Sequence, residues 1–476
     1  MFGWGTTPPP KVPGDKVLPL HFFDDTPVWR AFILYSMFVF GDVLDPDKLH
    51  HGLEELVRRD GWQKLGARLR RNDQGALEYH IPAEFTENRP AINYTHVQHN
   101  TPAADHPIAC QIPKPSTRPS IVGDPDQLSS LMHPEQSPKK LDDYVNVDLP
   151  QLGLHIVSFN DATIVSIYWP HTLFDAMGKH ALMTAWSLIL QGRQDEIMPL
   201  RGADSDPLVE LGNHATEAHR LADHQLSTLQ LVRYGISNII ELGIRGNENR
   251  VVCIPAAFID KLREEALQEV AAGNADQDVF LSEGDVLCGW WARMAISHLP
   301  EDSERKVVLY NAHSLREVLS VDLLPPDTSY LSNAIGFVHV TLTVKEIIEK
   351  SVGYIASRIR QAICESRTRE QVEAFMAMVR QSQARAPPFF GDPSMHMITY
   401  SNWGKAKLFE VDFSAAALNG NAKSPLNPSY IHNCQYGLTL PNAFLIIGKD
   451  MKGNYWLSGY LNKGNWGRIE QMLADL

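Results

Sequence analysis

The 476-residue chain holds only five cysteines, Cys110, Cys253, Cys288, Cys364 and Cys434. They are odd in number, far apart and free of CxxC spacing, which excludes a disulfide framework and a zinc cage and predicts a reducing compartment. No run of about 18 apolar residues occurs, so no membrane span is expected. The N-terminus lacks a basic region leading into an apolar stretch, and a cytoplasmic location follows as the expectation. Neither HExxH nor a His/Cys cluster at ligand spacing is present, so no bound metal is expected. Excess positive charge is missing too: 43 Lys plus Arg stand against 56 Asp plus Glu, a net charge of −13. A nucleic-acid partner would be repelled by that balance.

What is present is ordinary globular material, 44% hydrophobic and 21% charged. At roughly 150 residues per domain, the length implies more than one core. Arg30 to Phe40 is an aromatic-rich apolar run and predicts a buried strand. Asp45-Pro46 offers an N-cap and a first-turn proline for a helix through Leu49, Leu53 and Leu56. Thr101 to Tyr144, rich in Pro, Asp, His and Ser, reads as a long surface connection. Leu154–Asn160 and Thr163–Trp169 flank Asp161-Ala162 as a β-hairpin, which Pro170 ends because proline cannot donate a ladder hydrogen bond. Gly178, Ala181, Leu182, Ala185, Trp186 and Ile189 then form one apolar helical stripe, stopped at Gly192.

A leucine-rich helical stretch follows from Glu217 to Leu242. Ser282-x-x-Asp285 predicts a capping box for a helix through Trp290 and Trp291. Further strands are predicted at 251–254, 307–310, 337–343 and 443–447, and helices at 345–364 and 368–383. These elements suggest mixed α/β halves at 1–191 and 250–476, joined by a crossover at 192–249.

Between the hairpin and the striped helix lies His171-Thr-Leu-Phe-Asp175. An imidazole titrates near neutrality, so at a cleft it can take the proton of a hydroxyl or amine that attacks a carbonyl. Taken alone the pentapeptide is weak evidence, and a loop histidine with an aspartate that merely caps the helix is the simpler account of it.

The surrounding residues carry more. Leu154 to Gly178, LHIVSFNDATIVSIYWPHTLFDAMG, resembles the hairpin and HxxxDG segment of the BAHD acyl-CoA-dependent acyltransferases, with Ala176-Met177-Gly178 departing from the usual Asp-Gly ending. Ser401-Asn402-Trp403 resembles the family's second landmark. Nine residues after Trp403, Asp412-Phe413-Ser414-Ala415-Ala416 keeps the spacing of the DFGWG loop and loses its last three residues. Tyr330 to Gly336 is similar to the YFGNA segment. Asn311 to Arg316 matches an Asp/Asn-x-Arg-x-Arg run in which His313 replaces the first arginine. The similarity spans nearly the whole chain and is nearest the fungal secondary-metabolism branch. Phe2-Gly-Trp-Gly5 also spells part of the loop, but without its Asp or preceding Trp, and is read as coincidence.

The resemblance implies an α+β fold of two chloramphenicol-acetyltransferase-like domains with an active-site tunnel at their interface, in a monomer. It implies acyl-CoA as cosubstrate, no permanently bound cofactor, and acyl transfer to a hydroxyl of a small polyketide or terpenoid. His171 would be the general base and Ser401 a hydrogen-bond donor to the tetrahedral oxyanion. Trp403 and Asn333 would line the substrate pocket, and Lys405 and Lys407 are candidates for the anionic coenzyme. Asp175 would hold the loop by pairing with Arg316, or would serve only as a helix cap; His313 and Asp412 are read as structural. Two rivals remain. One is a condensation-type enzyme with a carrier-bound donor, against which Pro170 speaks because that family carries HHxxxDG. The other is a non-catalytic binding relative.

Overall fold

The computed structural model describes residues 9–273, 280–418, 425–438 and 442–476; Phe2–Gly5 lie outside them. Its two main sheets use twelve strands. In chain order these are β1 (Phe32–Phe40), β2 (Asn93–Gln98), β3 (Ser120–Gly123), β4 (Gly153–Ser158), β5 (Thr163–Pro170) and β6 (Asn247–Ile254), followed by β7 (Lys306–Ser314), β8 (Ile335–Thr343), β9 (His396–Asn402), β10 (Tyr430–Gly437), β11 (Ala443–Lys449) and β12 (Tyr455–Asn462). The five-stranded sheet runs β10-β1-β5-β4-β2, and the seven-stranded sheet β8-β7-β9-β11-β12-β6-β3.

Strand β5 is buried along its whole length, as a continuous run of β-branched and aromatic residues requires when both faces of a sheet are covered. Its neighbours are β1, with Ile33 opposite Pro170, and β4 across the hairpin. Local capping signals set the helix starts. Asp45 caps α1 (Pro46–Arg58) and Asp175 caps α2 (Ala176–Leu190). Ser282 and Asp285 close a reciprocal capping box at α3 (Glu283–Ile296). Gly192, at φ +71°, ends α2 in the left-handed conformation that glycine adopts without penalty.

Five features differ from the sequence reading. The helix expected over 345–364 is two, Val344–Glu349 and Val352–Ser366, because the Ser351 side chain caps the second. The helical stretch expected over 217–242 is a helix at Thr228–Arg245, and Ala256–Gly273 adds a helix that the sequence reading left out. The segment 101–144 is more than a surface connection: Leu128, Leu131, Met132 and Tyr144 are buried, and β3 pairs with β6 in the far sheet. Finally, the sheets do not respect the 1–191 and 250–476 partition. β3 from the first half edges the seven-stranded sheet, and β10 from the second half edges the five-stranded one. Pairing partners distant in sequence leave no local periodicity to read, which is why both exchanges were invisible.

Candidate active site

The site forms where the two sheets meet. His171 follows directly on β5, and its backbone N–H donates to the Phe32 carbonyl at 3.0 Å. The imidazole is half-buried and stacks on Trp29, with ring centroids 4.3 Å apart. Its Nδ1 is buried without a hydrogen-bond partner among the described residues. Burial holds its pKa below the usual 6.5, against the opposing pull of its own carbonyl, Asp175 and Asn333. The ring is therefore neutral near pH 7, the form that accepts a proton.

Asp175, 3% exposed, combines two roles that the sequence left as alternatives. Its Oδ1 accepts from the N–H groups of Met177 and Gly178, capping α2. The same carboxylate takes both arms of Arg316, each at 2.9 Å, and the Ala334 N–H at 3.0 Å. Arg316 also donates to the carbonyls of Tyr330 and Ser332, so the pair ties the His171 loop to the second half in a planar, bidentate geometry. His313, opposite Gly336 on the neighbouring strand, takes no part in that pair. Burial pushes it down to about 3, with Arg367 and Lys405 adding to the shift.

Asn333 is 2% exposed and acts as a brace. Its amide donates to the His171 carbonyl at 2.9 Å and to Asp24 Oδ1 at 2.7 Å. Asp24 is fully buried, pushed up to about 7 by desolvation, and lies by Lys64, itself pushed down to about 8. Lys64 donates to the Ser332 hydroxyl at 2.8 Å. Asn333 also edges an apolar cavity with Trp29, Phe23, Phe337 and Phe375, so it meets both the pocket and the loop.

Ser401 sits at the end of β9, half-buried, and its Oγ accepts the Trp403 indole N–H at 2.8 Å. With that acceptor position filled, and no described protein group taking its proton, the hydroxyl is free to donate outward. Lys405 and Lys407 are exposed and already ion-paired, to Glu317 at 2.6 Å and Glu410 at 3.2 Å. Glu317 is shared with Arg367 at 2.7 Å, so that cluster keeps an excess cation. Asp412 is structural in its contacts: Oδ1 accepts from the N–H groups of Ser414 and Leu426, and its carbonyl accepts from Ser187 of α2. The divergent Ser414–Ala416 turn docks on the start of α1, where the Asp45 N–H donates to the Ala416 carbonyl at 2.7 Å.

Sequence reasoning missed Lys179, one helical turn beyond Asp175. It is fully buried, with no carboxylate partner among the described residues. Its Nζ donates to Ser36 Oγ and Asn433 Oδ1, both at 2.9 Å, and lies 3.9 Å from the centroid of the Trp403 ring. The available signal was spacing: Lys179 shares a helical line with the buried Met183, Trp186 and Leu190. Asp24 and Trp29 gave no such signal. Among the described residues no group of three or more His, Cys, Asp or Glu side chains is placed to hold a metal ion.

Residues 120–417 match the model of the Transferase family. Over 478 residues the chain is 40% identical to the transcriptional regulator calD of Penicillium decumbens, covering 98% of this chain and 97% of that one. Over 491 residues it is 37% identical to the acetyltransferase adrJ of Penicillium rubens, covering 99% of each. Among solved structures, TRI101 of F. graminearum complexed with coenzyme A and T-2 mycotoxin superposes with a TM-score of 0.70 at 14% identity, over 96% of this chain and 97% of that one. At that identity the likeness is one of fold.

Proposed function

The chain belongs to the Transferase family of BAHD acyltransferases and is an acyltransferase, and on that premise we propose that it moves an acyl group from coenzyme A onto a hydroxyl of a small secondary metabolite. The observation that carries this reading is the neutral, half-buried His171, on a loop tied to both halves of the molecule through Asn333 and the Asp175–Arg316 pair. Such an imidazole takes the hydroxyl proton as the oxygen attacks the thioester carbonyl. The C–O bond forms, the C–S bond breaks, and the proton passes on to the departing thiolate. Ser401, its acceptor side occupied by Trp403, donates to the tetrahedral oxyanion. Lys405 and Arg367, two cations on the single carboxylate of Glu317, are the candidates for coenzyme phosphates. Lys407 is the weaker candidate, its charge matched by Glu410 alone.

Release of free thiol from short acyl-CoA donors, measured with a panel of hydroxylated terpenoids and polyketides, tests the proposal. Turnover that falls by at least about 10²-fold in His171→Ala, with unchanged melting, is the expected result. Release of thiol at the wild-type rate by that variant would remove His171 from the mechanism. Absence of release with every donor and acceptor would overturn coenzyme A as the carrier of the acyl group. The reaction should also withstand exhaustive EDTA treatment, since a thioester is already activated and no metal-holding cluster occurs among the described residues; recovery only on adding zinc or magnesium would assign the carbonyl polarisation to a metal instead.

A further inference from the structure

We infer that Lys179 is a positioning residue for the Ser401 hydroxyl, acting through the Trp403 ring; the inference rests on the reading of Ser401 as the oxyanion donor. Its starting point is a lysine with no exposed surface and no carboxylate partner among the described residues, on the same helix that carries Asp175. Burial holds its pKa well below the usual 10.5, and an amine in such a place is costly unless each N–H finds a partner. Here three partners are available. Ser36 Oγ and Asn433 Oδ1 accept at 2.9 Å each, and the face of Trp403 lies 3.9 Å away, within reach of an N–H directed at the ring.

The two oxygens come from residues directly opposite each other on β1 and β10. Trp403 follows β9 of the other sheet. The amine therefore pins an indole of one sheet against the register of the other. The indole has one polar group, and it is spent on Ser401. An amine N–H held over the ring face fixes the ring's orientation. The indole N–H in turn fills the acceptor side of Ser401 Oγ and turns its O–H away. A surface lysine at this position would do none of this, and a methionine, which ends one bond short of the lysine nitrogen, would fill most of the space without holding the ring.

The test is a double-mutant cycle read in steady-state kinetics. Lys179→Met should lower kcat about tenfold with KM for the acyl donor little changed, and should lower it no further in a Ser401→Ala background, because coupled residues are non-additive. An equal loss in both backgrounds would overturn the inference. Lys179→Gln, whose amide keeps polar N–H donors but ends one bond short of the lysine nitrogen, should behave like Lys179→Met. If both variants fail to fold, the lysine serves the core and the inference is wrong. A readout independent of turnover is the indole N–H resonance of Trp403 in 15N-labelled protein, identified by its loss in Trp403→Phe. It should shift in Lys179→Met; an unmoved resonance would overturn the inference. A Ser401→Ala variant that keeps full kcat would instead dispose of the oxyanion reading, a failure distinguishable from an unmoved indole.

Discussion

His171 and Arg316 set the chemistry in different ways. The imidazole loses hydration inside the site, so its pKa lies below 6.5 and the basic form persists into mildly acidic solution. The acid limb of kcat/KM should therefore have its midpoint below 6.5, with activity falling as pH drops through it; a midpoint at or above 7 would mean that another group titrates. Arg316 matters for stability as well. Arg316→Met would strand the buried Asp175 carboxylate, and removing one partner of such a pair costs roughly 3–5 kcal/mol. A urea midpoint unchanged from the parent would show that the helix cap alone satisfies Asp175. His171, Asp175 and Arg316 were legible in the sequence because they lie in short motifs. Lys179, Asp24 and Trp29 were not: their roles arise from partners on other elements, such as the Asp24 contact with Asn333, 309 residues away.

Helix α2 is the element on which the site turns, and its start is set by one close approach. A Cβ on Gly178 would lie 2.1 Å from the Leu331 carbonyl oxygen and 2.6 Å from Phe174 Cβ. The first of these atoms is backbone in the segment that also delivers Ser332, Asn333 and Ala334 to the site, so it has little room to yield. Gly178→Ala should therefore cost roughly 1–3 kcal/mol by overpacking and should reduce kcat by displacing the His171 loop. Thermal melting and turnover measured together check this; parental values for both would mean that the segment adapts. The starts of α1, α2 and α3 were readable, because Asp45, Asp175 and Ser282 signal through their own next few residues. Membership of sheets was not. β3 and β10 are ordinary short strands whose partners are chosen by burial across the whole chain, and Ser351 divides a run whose apolar spacing alone favours one continuous helix.

At the scale of the whole molecule, the exchange of β3 and β10 knits two sheets into one structure, and their cores bury many histidines uncharged. His21, His313, His396 and His432 are pushed down to about 3, and His155 and His219 to about 4, each chiefly by desolvation. In the unfolded chain these rings titrate near 6.5. Between that value and their folded values the unfolded state binds more protons, so stability is full above about 6.5 and is lost as pH falls towards 3 or 4. Each ring contributes a slope of at most about 1.4 kcal/mol per pH unit. Asp24, raised to about 7, works the other way, since its contribution is lost as pH rises from about 4 to 7. Burial raises Asp126 and Asp206 as well, but three carboxyls against six imidazoles leave the histidines in control. The melting temperature should therefore decline progressively from pH 6.5 to pH 4.5, and His432→Gln, at a fully buried ring, should make the decline shallower without reversing it. A melting temperature constant over that interval would show that the rings regain in the folded state the protonation they have in the unfolded chain, and that burial does not hold them neutral.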